Sequence, residues 1–138
     1  ASDFEFTLKQ PGFDLPDLSA QSFAEMLNNL PIKWKVIVIS ACYSGGFIPH
    51  LKDEQTLIIT ASASDKLSFG CDDENDFTYF GEAYFKNGLS ETNNFIAAFD
   101  LAIKLINERE IKEGVKKSEP QIYKTREIEK HLEKWLNQ

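Results

Sequence analysis

Apolar positions recur along this chain at two periods, and the change of period divides it into elements. Beginning after Ser19, a good helix N-cap, Phe23, Met26, Leu27 and Leu30 repeat at helical spacing until Pro31 stops them. Trp34 to Ser40 follows, with Val36, Ile37, Val38 and Ile39 in an unbroken β-branched run. Such a run suits a strand buried on both faces, as in a parallel sheet with helices on each side. Thr56 to Ala61 is a second strand of this kind, apolar at Leu57-Ile58-Ile59. The link between them, Ala41 to Gln55, contains Gly45-Gly46 and Pro49 and has room for a short helix at most. Beyond the polar stretch Ser62 to Asp76, aromatic residues return at helical spacing within Phe77 to Leu89, at Phe77, Phe80, Tyr84 and neighbouring Phe85. Asn93 to Glu113 is the clearest helix, with Phe95, Ala98, Phe99, Ala102, Leu105 and Ile106 on one face and Gly114 as its stop. Thr125 caps a last helix whose inward residues are Ile128, Leu132, Trp135 and Leu136. Ahead of all these, Ala1 to Asp17 holds Pro11-Gly12 and Leu15-Pro16 and reads as an extended piece broken by turns.

The pattern is that of an α/β protein with a mostly parallel sheet. Two parallel strands and four helices cannot cover both faces of a sheet on their own, and parallel pairs occur in larger sheets. The 138 residues are therefore expected to form a single partial domain, 1–138, of a larger α/β unit. Ala1 stands where an initiator methionine would, so a processed or truncated chain is expected and any targeting segment would have preceded it. With 42% hydrophobic residues there is material for a real core, which argues against disorder.

Charge and cysteine count narrow the function further. Acidic residues outnumber basic ones 22 to 15, so there is no basic stripe to displace counterions, and nucleic acid is not an expected partner. The longest apolar run, Val36 to Ile39, is far below the ~20 residues of a membrane span. Cys42 and Cys71 are too few for a disulfide scaffold or for an unaided zinc site, and no metal or other cofactor is expected.

In open α/β sheets ligands bind beyond the carboxyl ends of the strands. Those ends are Ser40-Ala41-Cys42-Tyr43-Ser44-Gly45-Gly46 and Ala61-Ser62-Ala63-Ser64. Cys42 leaves the first strand where a nucleophile would be held rigidly and exposed; the alternative is a buried structural thiol in a strand-end turn. Gly45 and Gly46 would admit an extended substrate or a strained backbone. Other chemistries fail on spacing. Ile48 stands where a phosphatase loop needs Arg, and the first Gly of a nucleophile elbow is missing before Ser44. Asp72, Asp73, Glu74 and Asp76 lack the glycine and closing glutamate of a calcium loop.

The segment Val36-Ile37-Val38-Ile39-Ser40-Ala41-Cys42-Tyr43-Ser44-Gly45-Gly46-Phe47 resembles the nucleophile segment of the legumain-type cysteine peptidases, family C13, and specifically their bacterial branch. Ile58-Ile59-Thr60-Ala61-Ser62, Ser68-Phe69-Gly70-Cys71 and Thr78-Tyr79-Phe80-Gly81-Glu82 are similar to that family's next strand, substrate-side loop and helix start, in the same order. The match spans roughly Leu15 to Phe85. The resemblance implies a caspase-like three-layer sandwich and a thiol endopeptidase that needs no cofactor and takes peptide or protein substrates. Cys42 would attack the peptide carbonyl and form an acyl-enzyme that water hydrolyses. The backbone at Cys42 and Gly45 would supply the oxyanion site, where one preorganised donor is worth ~3–4 kcal/mol. Tyr43, Ser68 and Glu82 would line the specificity pocket. Tyr43 stands where legumains have an acidic residue that fixes asparagine, while Glu82 keeps acidic character deeper in the pocket, which leaves Asn or a basic P1 residue open.

The family carries its base in a His-Gly pair on the strand before the cysteine strand, whereas this chain has only His50 and His131. His131 lies in the last helix, and His50 follows Pro49 on the wrong strand end. The chain is therefore expected to begin just downstream of the base, having lost the first strands of the sheet, and to be inactive alone. Its parent would be the peptidase; the alternative is a peptidase-like binding or assembly module without catalysis. The missing strands would leave the cysteine strand with an exposed edge, which implies a homodimer or a segment swap. Under the peptidase reading Cys42 and Cys71 are expected to be free. The compartment is left open; an envelope or periplasmic site would follow if the missing part carries a targeting segment.

Overall fold

A computed structural model describes residues 5–6, 18–70 and 78–137. Most of the extended reading of Ala1 to Asp17, together with Cys71, the acidic run from Asp72 to Asp76 and Phe77, lies outside the described residues. Within them, β1 (Glu5–Phe6) pairs antiparallel with β2 (Leu18–Ser19). Ser19 then caps α1 (Ala20–Asn28), its hydroxyl accepting the Ser22 N–H at 3.1 Å. The two β-branched runs form β3 (Lys35–Ile39) and β4 (Thr56–Thr60), paired in parallel with Lys35 opposite Thr56 and Ile39 opposite Thr60. Between them the chain makes a 3-10 turn (Ser44–Phe47) and one turn of helix, α2 (Ile48–Leu51).

After β4 and its following loop, α3 (Tyr79–Gly81), a π-helical stretch (Glu82–Gly88) and α4 (Leu89–Glu91) run on from one another. The wider π turn sits where the rod presses on the next helix. A Cβ on Gly88 would come within 2.8 Å of the Ala98 carbonyl, and the Tyr84 hydroxyl donates to the Phe95 carbonyl at 3.0 Å. Burial pushes the Tyr84 phenol up to about 12. The long helix α5 (Phe95–Glu113) is capped by Asn94, whose side chain accepts from the Ile96 and Ala97 N–H groups, and stops at Gly114 with φ 66°. The last strand, β5 (Gln121–Tyr123), adds antiparallel to β4, and Thr125 caps α6 (Arg126–Leu136).

The result is three layers. On one face of the sheet, Leu57, Ile59 and Ala61 pack against Phe80, Ala83 and Tyr84, against Ala98, Phe99, Ala102 and Ile106 of α5, and against Ile128 of α6. On the other, Ile37, Ile39 and Ile58 meet Ala20, Ala24, Phe47 and Leu51. Leu57, Ile58 and Ile59 are each fully buried, worth about 1.5–3 kcal/mol apiece against exposure. The sheet is thus mixed and small, the core of an α/β sandwich, and β4 is its central strand.

Several sequence expectations are corrected by this packing. β5 is not foreseen by hydrophobic pattern, being three residues long with only Ile122 and Tyr123 partly buried. β3 is not sealed on both faces: Ile37 and Ile39 are buried, but Val36 and Val38 only partly, because β4 is its one neighbour among the described residues. Met26 (57% exposed), Leu30, Leu105 and Trp135 (54% exposed) lie at the surface rather than inward. Trp135 stacks on Phe95 at the rim, with centroids 6.3 Å apart.

Two polar anchors hold the turns that lead into β4 and β5. Glu110 is buried in the last turns of α5 because its Oε1 accepts both the Ser118 N–H, at 2.9 Å, and the Ser118 hydroxyl. Asp53 accepts from the Gln55 N–H (2.8 Å) and the Thr56 hydroxyl (2.6 Å) and pairs with Lys35 at 3.5 Å. Burial pushes the Asp53 carboxyl up, but the bonds from Thr56 and Gln55 together with the Lys35 charge outweigh it and leave the group below its ordinary range. A carboxyl more acidic folded than unfolded stabilises above its unfolded pKa and loses that contribution as pH falls through the folded value. We therefore expect Asp53→Asn to lose about 0.5 kcal/mol at pH 7, small because the carboxylate is partly exposed. The difference from the parent should begin to shrink below about pH 4 and vanish only as pH falls through the lower folded value, in thermal melts taken across the acid range.

Candidate functional site

Cys42 lies three residues beyond the end of β3, half-buried, as a free thiol. Its sulfur is held by a single residue of the loop after β4. The thiol donates to the Ser68 carbonyl at 3.2 Å and accepts the Ser68 N–H at 3.3 Å. Ser68 itself is buried, so this loop closes over the exit of β3 rather than standing away from it. Next in the chain, Tyr43 is half-exposed and left-handed, with φ 58°, a conformation uncommon outside glycine. Its N–H is anchored on the Lys66 carbonyl at 2.8 Å.

The strain in the turn sits at Tyr43 and not at the two glycines, neither of which has positive φ. Gly45 has another task. A Cβ there would come within 2.8 Å of the Ser62 carbonyl and of the Ser64 amide nitrogen, so the turn can lie flat on the exit of β4 only without a side chain. The Gly45 N–H donates to the Ser62 carbonyl at 2.8 Å, which commits it to the protein rather than to an oxyanion. The Ser44 N–H goes to the Ser62 hydroxyl and the Gly46 N–H to the Tyr43 carbonyl. From 42 to 46, Cys42 alone keeps an N–H without a partner among the described residues.

Glu82 belongs to a different neighbourhood. Thr78 ties the start of α3 to the cysteine strand: its hydroxyl lies 2.9 Å from that of Ser40 and accepts the Gly81 N–H at 2.9 Å. Tyr79 adds an N–H to the Phe69 carbonyl. Glu82, one turn along, is paired with Arg109 of α5 at 2.8 Å, and the Arg109 guanidinium lies 3.8 Å from the centre of the Tyr79 ring. These groups share a cavity of about 150 Å³ with Ala83, Asn87, Leu105 and Ile106, and that cavity includes neither Cys42, Tyr43 nor Ser68. The structure therefore brings Cys42, Tyr43 and Ser68 together and turns Glu82 toward Arg109. Arg109 and Lys66 carried no signal in the sequence, since each matters through contacts that only the tertiary fold creates.

Among the described residues the sulfur is hydrogen-bonded to Ser68 and to neither histidine. His131 stacks on Trp34, with rings 4.0 Å apart and 6° from parallel. Trp34 precedes β3 and Cys42 follows it, so His131 stands at the opposite end of that strand from the thiol. His50 is exposed on α2, where the chain is returning toward the start of β4.

The peptidase C13 family model matches residues 3–132. The chain belongs to the peptidase C13 family. Family membership points to cysteine peptidase activity in general and to protein substrates, and the α/β sandwich with its incomplete sheet agrees with the caspase-like fold. No curated protein matches the sequence. Among the described residues no helix is long and apolar enough to cross a membrane.

The close fit at Gly45 is testable. Gly45→Ala should destabilise the protein by about 1–3 kcal/mol, because the obstructing atoms are backbone and cannot swing aside. A shift in denaturant midpoint at unchanged slope measures it.

Proposed function

We propose that this chain is the nucleophile-bearing part of a legumain-like endopeptidase, hydrolysing peptide bonds through an acyl-thioester on Cys42. The observation that carries the reading is the thiol at the exit of a parallel strand beside its own N–H, which has no partner among the described residues. In the reaction the sulfur attacks the substrate carbonyl, and the developing oxyanion takes the Cys42 N–H as donor. The amine leaves with a proton, and water then cleaves the thioester. Gly45 contributes through shape rather than through its N–H. Tyr43 and Ser68 flank the reacting sulfur on the substrate side. Glu82 acts at one remove, and its pairing with Arg109 weighs against a basic P1 residue. The base, in this reading, comes from outside the described residues.

The test is labelling by a peptidyl acyloxymethyl ketone, mapped by mass spectrometry. We expect modification of Cys42 in the full-length protein and little or none in residues 1–138 alone. An unlabelled Cys42 in the full-length protein overturns the proposal. A second reading, a binding or assembly module without catalysis, is favoured by the stacking of His131 on Trp34, at the other end of β3 from the thiol. It predicts peptide binding by the full-length protein that Cys42→Ala leaves intact, with no hydrolysis in either form.

The outer edge of β3 has no strand partner among the described residues, and an edge of that kind is a template for pairing. We expect the isolated 138-residue chain to dimerise or exchange segments through this edge. A single monomeric species in sedimentation at high concentration would count against it.

A further inference from the structure

Ser62 follows β4 by two residues and is completely buried. Its hydroxyl donates to the carbonyl of Ala41, the residue before Cys42, at 3.2 Å. The same oxygen accepts the N–H of Ser44, two residues after Cys42, at 3.3 Å. Its carbonyl accepts the Gly45 N–H at 2.8 Å and the Thr60 hydroxyl at 3.1 Å. Its own N–H donates to the Ser44 hydroxyl at 3.3 Å. One side chain thus grips the peptide groups on either side of the Cys42–Tyr43 pair. A buried serine needs only one partner for its hydroxyl, so bonds that straddle the cysteine are more than satisfaction of a polar group. The grip also supplies what Tyr43 needs. A left-handed residue persists only where its surroundings over-determine it, and here the flanking groups are fixed on Ser62 while the Tyr43 N–H is fixed on Lys66.

We propose that Ser62 is a positioning residue for Cys42, setting the direction of both its sulfur and its N–H; the reaction it serves is the one proposed above, on which this inference rests. Alanine at position 62 keeps nearly the same volume and keeps the backbone bonds to Gly45 and Thr60. It strands the Ala41 carbonyl and the Ser44 N–H, so the fold survives while the turn loosens.

Ser62→Ala is compared with Thr56→Val in the full-length protein. Thr56 is equally buried and hydrogen-bonded, but at the far end of β4. With a peptide substrate that the full-length protein cleaves, Ser62→Ala should lower kcat about tenfold or more with KM within about twofold, since small displacements of reacting groups are costly. Thr56→Val should lose stability without losing kcat. Iodoacetamide alkylation of Cys42, resolved by mass spectrometry, should change rate by at least about threefold in Ser62→Ala and not in Thr56→Val, because access to the sulfur governs it. An unchanged kcat in Ser62→Ala, or equal kcat losses in the two variants, overturns the positioning role. If the full-length protein hydrolyses nothing, the peptidase reading is what fails, and the alkylation comparison alone then decides whether Ser62 holds the thiol: equal rates reject it.

Discussion

Parallel strands that end side by side release their chains into the same layer, and whatever lies there must be fastened across from one strand exit to the other. In this protein the fastening is a backbone-to-backbone contact. The turn after β3 lies against the chain leaving β4 so closely that only glycine fits at position 45. Everything near the thiol follows from it. Ser62 and Ser44 fall opposite one another in a fully buried pair, Tyr43 is forced into the left-handed region, and the chain from Ala63 to Ser68 is left to fold back over Cys42. The seam combines a handful of hydrogen bonds, each worth about 1 kcal/mol net, with the burial of β4 beneath it. The core does the larger work; the hydrogen bonds determine the shape.

The arrangement separates rigidity from access. β4 is buried along its whole length, so the loop that grips the sulfur springs from the firmest part of the sheet. β3 is only half covered on one face, and Tyr43 next to the thiol is half-exposed. A residue meant only to fill the interior would sit better on β4. A thiol carried on the looser strand and held from the firmer one is fixed in place yet reachable, which is the combination that nucleophilic chemistry requires.

Much of the frame was legible in the sequence because local physics wrote it. Ser19, Asn94, Gly114 and Thr125 end their helices as capping chemistry dictates, and the β-branched runs are strands paired in parallel. The apolar faces were read less well. Met26, Leu30, Leu105 and Trp135 keep helical spacing but are exposed, so spacing alone did not mark which apolar positions the core would use. β5 escaped because a three-residue strand has too few positions to show a period. At the site, Cys42 stood out as a candidate by its place at a strand end and by the resemblance of its segment to the legumain-type peptidases. The contacts of Ser62 were not legible, since a serine after a strand looks the same whether it meets solvent or the peptide groups beside a cysteine. Glu82 was read as an open acidic wall, and only the packing of α5 reveals that Arg109 answers its charge.

The placement of the two histidines constrains how the thiol can lose its proton. The β4 side of Cys42 is filled by Ser62, Lys66 and Ser68, whose backbone groups are already spent on the turn and the sulfur. A base arriving from that side would have to displace them. The opposite flank of β3 carries no strand among the described residues, and on the peptidase reading proposed above a proton acceptor would approach from there, where it breaks none of the bonds of the seam. His131 cannot swing into that position, because its ring is stacked on Trp34 at the other end of the strand, and no side chain spans the length of β3. On the proposed peptidase reading, a strand added beside β3 would deliver a residue to the level of Cys42 while pairing with an edge that has no partner among the described residues. On that reading, completion of the sheet and completion of the proposed catalytic machinery would be one structural event.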